Sequence, residues 1–455
     1  MELKIGLKLL GGALASAVIA SSSVYAWYPY SEKYTKWQAD RPLTMTAWHN
    51  SVPRDRLDDR IARFKAAGLN QFYWLKPLNA RHFFKAANAA GLEWQCGMRG
   101  GENAVRQAMI IPGCSAITVS DEPNTISRNT EEEKEAVYQE LRDSIAWVKK
   151  NYPHVLVYAN LSIMKIGRDR YIEFCQPDVF SYDDYALARD GSETETYLYF
   201  MNIGRETSRK HRLPFWMIQQ AYGRPEGEGV PYRNPDEADL RYQAFSFLAH
   251  GGVGITFFMY YGYAGDVGNG ECMVDDLQVP HMGRTPSEQH RYENTVLNRS
   301  YYAARDMAPE IQNLSRALLN LRTVGDIGYA GTIPYRCKLF DGHGALKSVK
   351  NLETPNESVL VSFFDDAAGE EYFMVVNLRR GINMSKMDAA GTIRVTFDNS
   401  VEKIERLNRL TGLVEVLVTK PGEGDVRVLD VRQEGGTGDL YKWSNGNPWD
   451  LRPKQ

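Results

Sequence analysis

The chain is short of cysteine, of charge of one sign and of long apolar runs, and each shortage excludes something. Five cysteines (Cys96, Cys114, Cys175, Cys272 and Cys337) are scattered through 455 residues with no CxxC spacing. A zinc site built on paired thiolates is therefore not expected, and an odd count leaves at least one thiol unpaired. Lys and Arg number 54 against 57 Asp and Glu, a formal net charge of -3. That balance lacks the basic surplus that nucleic-acid binding requires. No GxGxxG follows the first strand-like segment, which argues against a dinucleotide site. The acidic loop "GDVGNGECMVDD" (265–276), with Asp266, Glu271, Asp275 and Asp276, lacks EF-hand spacing and reads first as solvated, with calcium the lesser reading. No internal repeat or low-complexity linker is present, and no cofactor is implied.

The one apolar run of note is N-terminal. "MELKIGLK" carries Lys4 and Lys8, "LLGGALASAVIA" is apolar, and "SSSVYA" ends on a small residue. This is the pattern of an export signal, with cleavage expected after Ala26. The run falls short of the roughly 20 residues that span a bilayer, so stable membrane insertion is not expected, although a retained anchor is the competing reading. Loss of Glu2, Lys4 and Lys8 takes the net charge from -3 to -4. The expected location is secreted or periplasmic, which permits disulfides. Oligomeric state is not readable.

From residue 42 to about 320, short apolar or aromatic runs alternate with amphipathic segments of helical length. The strand-like runs are 42–50, 69–77, 92–100, 116–123, 154–162, 178–187, 214–223 and 253–263. Strand-then-helix alternation implies a parallel sheet. Eight units in about 280 residues predict an α/β (β/α)8 TIM barrel, with a doubly wound open sheet as the rival. Beyond about residue 325, short strands such as "SVLVSFFDD", "EYFMVVNLRR" and "GTIRVTFD" are separated by Gly, Asn and Asp turns. These predict a C-terminal antiparallel β-sandwich. The expected organisation is a signal peptide at 1–26, a barrel at 27–322 and a sandwich at 323–455.

In such a barrel the chemistry lies at the C-terminal ends of the strands. Those ends present Trp48 and His49, then Trp74 and Lys76, then Arg99, then Asp121 and Glu122, then Asn160. The later strands present Tyr182, Asp183, Asp184 and Tyr185, then Trp216, Gln219 and Gln220, and finally Tyr260. Aromatics offer stacking faces, and amides and carboxylates hydrogen-bond hydroxyls. The combination suits a carbohydrate, while any single Trp or Tyr at a strand end is more often packing.

The segment "ITVSDEPN" (117–124) ends a strand with two adjacent carboxylates. Like charges held together raise one pKa, and a carboxyl kept protonated near neutrality is what a general acid needs. Strict alternation puts Ile117, Val119 and Asp121 on one face and Thr118, Ser120 and Glu122 on the other. With the apolar face outward, Glu122 points into the barrel mouth as proton donor. The structural alternative is that Asp-Glu-Pro merely starts a helix. Glycoside hydrolysis also needs a second carboxylate, and Asp121, Asp183 and Asp184 are the candidates.

These segments resemble (β/α)8 glycoside hydrolases of clan A, especially those related to family 42 β-galactosidases. "AGLNQFYW", "ITVSDEPN", "PDVFSYDDYAL" and "LRYQAFSFLAHGGVGITFFMYYG" look like their second strand, fourth strand, sixth strand, and seventh helix with eighth strand. The resemblance implies that Glu122 is the acid/base. It also implies a nucleophilic Glu at the end of strand seven, where this chain has Gln219 and Gln220. The Asp-Glu pair further resembles that of families 20 and 123 hexosaminidases. There the substrate acetamido group is the nucleophile, so Asp121 would orient it and Glu122 would donate the proton. Tyr182 and Asp183 resemble the sixth-strand Tyr-Asp of family 18 chitinases. The expectation is a secreted glycoside hydrolase acting on a poly- or oligosaccharide, with Glu122 as proton donor. A substrate-assisted N-acetylhexosaminidase, a non-catalytic glycan-binding barrel and a lyase-type barrel with a Tyr or His base are the alternatives.

Overall fold

The computed structural model describes residues 28–49, 54–123, 130–162, 167–224, 231–261, 272–275, 296–342, 349–353 and 358–454. The expected export signal at 1–26 lies outside them. Helix α1 (Glu32–Gln38) precedes the first strand, and its Trp37 indole donates to the Ser115 carbonyl at 3.0 Å from below the barrel. Eight parallel strands follow: β1 (Thr44–His49), β2 (Gln71–Trp74), β3 (Glu93–Gly97), β4 (Cys114–Asp121), β5 (Leu156–Ser162), β6 (Phe180–Asp184), β7 (Phe215–Gln220) and β8 (Gly252–Tyr261). Each pairs with the next, and β8 pairs back with β1, so the sheet closes into a barrel without edges.

The outer helices are α2 (Leu57–Ala66), α3 (Arg81–Ala89), α4 (Gly101–Ala108), α5 (Glu131–Asn151), α6 (Arg168–Cys175), α7 (Tyr197–His211), α8 (Glu237–Ala249) and α9 (Arg299–Leu318). Helix α5 starts where Thr130 caps the Glu133 amide and the Glu133 side chain returns to the Thr130 amide. The Asp-Glu-Pro segment therefore ends a strand and does not begin that helix. Helix α9 starts at Arg299. Just before it, β10 (Val296–Leu297) pairs with β9 (Val274–Asp275) beside the end of β8. Among the described residues no helix is long and apolar enough to cross a membrane.

The C-terminal part is a two-sheet sandwich. β11 (Arg322–Ala330), β12 (Val349–Glu353), β13 (Val359–Asp365), β14 (Glu371–Asn377), β15 (Gly391–Asp398), β16 (Lys403–Leu407), β17 (Val414–Val418), β18 (Lys420–Pro421), β19 (Val426–Gln433) and β20 (Gly438–Trp443) build it. One sheet runs β11-β13-β14-β20-β16-β17 and the other β12-β15-β19-β18, all antiparallel. Along β13, Leu360 and Phe364 join the barrel core, while Val359, Val361 and Phe363 join the core between the two sheets. The larger sheet is thus apolar on both faces, which explains its near-continuous hydrophobic strands.

Helix α8 lies between barrel and sandwich, and every residue from Ala238 to Ala249 is buried. The approach is close: a side chain at Gly436, where φ is +67°, would meet the Ala238 carbonyl at 2.3 Å. An ion network closes the same seam. Glu310 takes both terminal nitrogens of Arg241 at 2.9 Å and Arg409 Nε at 2.9 Å. Arg409 also reaches Asp439 and Glu434, each at 2.6 Å. Burial pushes the Glu310 carboxyl up, but Arg241, Arg409 and Lys386 outweigh it and hold the carboxyl below its ordinary value.

Removing one member of such a buried network leaves the others uncompensated, at about 3–5 kcal/mol. Glu310→Ala is expected to lower the urea midpoint accordingly. Lys338→Ala, which breaks the exposed Lys338–Asp326 pair, is expected to leave the midpoint almost unchanged. Because the Glu310 pKa is depressed in the fold, its contribution is present above the unfolded value of about 4.3 and fades as pH falls through the folded one.

Candidate active site

The barrel interior is filled from below. Gln95 donates to Gln71, Ser115 donates to Gln71 at 3.1 Å, and Tyr158 donates to Gln95 at 3.2 Å. Trp216 lies among them, 5.9 Å from Trp37 and 5.4 Å from Tyr158 by ring centroids. Polar side chains on adjacent strands therefore point inward and satisfy one another, as buried polar groups must.

Above this floor, β4 departs from regular alternation. Thr118 pairs with Tyr158, but Asp121 pairs with Asn160, so β4 uses three residues where β5 uses two. This β-bulge inserts one residue and shifts every later side chain to the other face. Asp121, expected on the outer face, instead turns inward beside Asn160. Glu122 then adopts φ +43°, and its amide donates to the Asn160 carbonyl at 2.7 Å. A non-glycine residue in this left-handed region costs about 1–2 kcal/mol and is held there by its surroundings.

Asn160 also organises the acids. Its Nδ2 donates to Asp121 Oδ1 and to Asp183 Oδ1, each at 3.2 Å, while its Oδ1 accepts from Ser181 Oγ at 2.9 Å. The Glu122 carboxyl lies close enough to Asp183 to raise its pKa. Three carboxyls thus converge at the ends of β4 and β6. Burial pushes Asp121 up to about 6, with Glu122 adding to the rise and Asn160 and Arg99 opposing it. Asp183 is held well above the ordinary carboxylate range by burial, then by Glu122 and Asp121. Such a cluster holds a proton near neutrality and can deliver it to a bound group.

An apolar wall rises beside the acids. Trp48, Tyr73, Leu75, Ile218, Tyr222, Met259 and Cys272 form one cluster, with Tyr185, Tyr232 and Phe258 packed against it. Trp48 meets Tyr73 at 5.1 Å and Phe258 at 5.6 Å, and Phe258 meets Tyr185 at 5.4 Å. The charges of Asp183, Asp121 and Glu122 act on Tyr185, so wall and acids adjoin. Among the described residues, no group of three or more His, Cys, Asp or Glu is arranged to hold a metal ion. Of the acidic loop, Asp275 is described, and it accepts from Asn298 at 2.6 Å; Asp266, Glu271 and Asp276 lie outside the described residues.

Of the strand-end residues, Asp121, Glu122, Asn160, Asp183, Trp48 and Tyr185 come together here. Arg99 and Lys76 are exposed on the loops after β3 and β2, and the Arg99 charge acts on Asp121. The others lie elsewhere, because alternation turns them outward or sets them deeper. His49 is buried among Phe64, Phe72 and Tyr260 with its pKa lowered to about 3 by burial. Tyr260 packs in that same cluster, and Trp74 belongs to the main core. Tyr182 stacks on Phe215 at 5.6 Å. Asp184, on the same outward parity of β6, is pushed up to about 7 by burial and then by Glu193. Trp216 sits in the floor. Gln219 Nε2 donates to the Gln243 carbonyl of α8 at 3.1 Å, and Gln220 Nε2 donates to the carbonyls of Leu187 and Arg233 at 3.0 and 2.8 Å. Both glutamines are fully buried.

The wall takes in Tyr73 and Tyr222, which the sequence pattern places at the ends of the second and seventh strands, and Tyr232 and Phe258, which it does not. Tyr73 was accessible from parity, two residues beyond the inward Gln71. Phe258 was not: β8 advances four positions, from Phe257 to Tyr261, where β1 advances two, from Ala47 to His49. That bulge carries Phe258 and Met259 into the mouth.

No protein-family profile and no curated protein sequence matches the chain. Solved structures do. A β-galactosidase from the psychrophilic Marinomonas ef1 aligns at 9% identity and TM-score 0.39, over 60% of this chain and 60% of the galactosidase. A glycoside hydrolase family 5 protein from Bacteroides vulgatus aligns at 12% identity and TM-score 0.49, over 90% and 91% of the two chains. An α-L-arabinofuranosidase from Thermotoga maritima aligns at 10% identity and TM-score 0.43, over 89% and 97%.

The raised Asp121 pKa has a measurable consequence. A carboxyl raised to about 6 in the fold favours the native state below its unfolded pKa of about 3.9, and that advantage is lost as pH rises through about 6. Asp121→Asn removes the titration. Relative to the native chain, the variant is expected to gain about 2–3 kcal/mol between pH 4 and pH 7.5, read from urea unfolding at each pH.

Proposed function

We propose that this protein is a glycoside hydrolase in which Glu122 protonates the leaving-group oxygen. The observation that carries the reading is the convergence of Glu122, Asp121 and Asp183 around Asn160, beside an aromatic wall. Sugar rings present apolar C–H faces to aromatic side chains and hydroxyls to carboxylates and amides. Burial, then Glu122 and Asp121, hold the Asp183 carboxyl well above the ordinary carboxylate range, which keeps a proton available beside Glu122 near neutral pH. Asp121, fixed by Asn160, is the second carboxyl facing the scissile bond. The resemblance to family 42 enzymes belongs to this proposal, as does export to a secreted or periplasmic location.

A second reading, substrate-assisted cleavage of N-acetylhexosaminides, is favoured by the state of β7. Gln219 and Gln220 are buried and committed to backbone carbonyls, and an amide cannot form a glycosyl ester. An acetamido group on the substrate would then serve as nucleophile, with Asp121 orienting it.

On a panel of aryl glycosides and natural glycans, Glu122→Gln is expected to lower kcat by about 10²–10⁴-fold with KM nearly unchanged. Hydrolysis undiminished in that variant would remove Glu122 from the proposal. Comparing aryl N-acetylglucosaminides with the matching glucosides separates the two mechanisms. Turnover confined to the acetamido sugars supports substrate assistance, and equal turnover excludes it. Binding without turnover anywhere on the panel would leave a glycan-binding barrel instead.

A further inference from the structure

At the end of the barrel opposite the mouth, a cavity of about 520 Å³ opens between the barrel floor, the last turns of α9 and the sandwich. Five cations line it, Arg41, Lys65, Arg316, Arg452 and Lys454, and among the described residues no Asp or Glu does. Arg41 is matched by Glu93 at 2.6 Å. The other four have no carboxylate partner among the described residues. Lys65 donates to the Ala90 carbonyl at 2.9 Å, and Arg316 to the carbonyls of Arg452 and Gly412 at 2.8 and 2.9 Å. Arg452 donates to the Gln38 carbonyl and Asn320 Oδ1, each at 2.8 Å, and to the Leu319 carbonyl at 3.3 Å. Among the described residues Lys454 reaches the Thr411 carbonyl alone, at 3.5 Å.

Neutral carbonyls orient these groups without cancelling their charge. Elsewhere along the same seam the cations are cancelled: Arg241, Arg409, Arg380 and Arg299 each meet a carboxylate. In a chain of net charge -3, a cavity of this size with four uncompensated cations is a local inversion. Burial holds Arg452 below its ordinary pKa, and Asp450 acts on it only from beyond ion-pair distance. Leu69, Leu92, Leu319 and Leu410 add apolar lining. Lys65 and Lys454 are exposed at the rim, with stems long enough to swing over an occupant.

We infer that this cavity binds a small organic anion, a compact body of about monosaccharide size that carries a carboxylate, sulfate or phosphate. The guanidinium of Arg316 offers planar donors suited to such oxyanions, the leucines cover the body, and the volume falls in the ordinary range of roughly 300–1,000 Å³ for small-molecule sites. The site is separate from the carboxylate cluster and independent of whether the mouth is hydrolytic.

Isothermal titration calorimetry on the whole chain tests this with glucuronate, glucose 6-sulfate and glucose 6-phosphate as probes, and with glucose and inorganic phosphate as controls. At least one sugar anion is expected to bind, with glucose silent and inorganic phosphate weaker. Which anion binds best identifies the charged group. A Lys65→Gln/Lys454→Gln double variant is expected to weaken binding about tenfold, as is Arg316→Gln, while Glu122→Gln leaves it unchanged. The thermal midpoint of each variant separates loss of the site from loss of the fold. No binding by any sugar anion, equal binding of glucose, inorganic phosphate binding as tightly as the sugars, or unchanged affinity in folded variants would each overturn the inference.

Discussion

Asn160 is the residue around which the mouth of the barrel is organised. Its carbonyl receives the Glu122 amide, its side-chain nitrogen serves Asp121 and Asp183 together, and its side-chain oxygen accepts from Ser181. One residue thereby fixes a left-handed corner and holds acids from two strands that electrostatic repulsion would otherwise drive apart. A neutral donor suits this role better than a cation. An Arg or Lys at the same point would pull both carboxyls into the ionised state and remove the proton that the proposed acid catalysis needs.

The two bulges play complementary parts. The one in β4 turns Asp121 inward, and the one in β8 brings Phe258 and Met259 to the opposite side of the mouth. A regular barrel alternates strictly, so it can present only every second residue at the rim. Inserted residues place acids next to acids and aromatics next to aromatics, producing a polar flank and an apolar flank in one opening. That asymmetry matches a sugar ring, whose hydroxyls and C–H face point in different directions.

The barrel was legible in the sequence because parallel strands buried on both faces write themselves as apolar runs, and the helices between them keep a 3.6-residue period. The sandwich was legible in outline, but β11, β12, β16 and the two-residue β18 were not. Segments such as "KIERL" mix charge and apolar residues without a clean period of two. At the site, residue type carried further than direction. Asp121, Glu122 and Asp183 were found as acids at strand ends, yet parity assigned Asp121 to the wrong face, since a bulge leaves no mark in composition. His49, Tyr182 and Gln219 look like ligands in one dimension and prove to be packing or fastening groups, each on the outward parity of its strand.

The burial of α8 on every side bears on the order in which the molecule can assemble. The helix leaves the ribosome well before its cover, because the strands that pack on it, β13, β14 and β20, begin at Val359 and end at Trp443. Until those strands arrive, an apolar helix flank faces solvent, and the contacts that finally shield it span a large part of the chain. Long-range closure of this kind slows folding and prolongs exposure of sticky surface. The last strands of the sandwich therefore complete the barrel's outer layer, and that layer is finished only once β20 has been made.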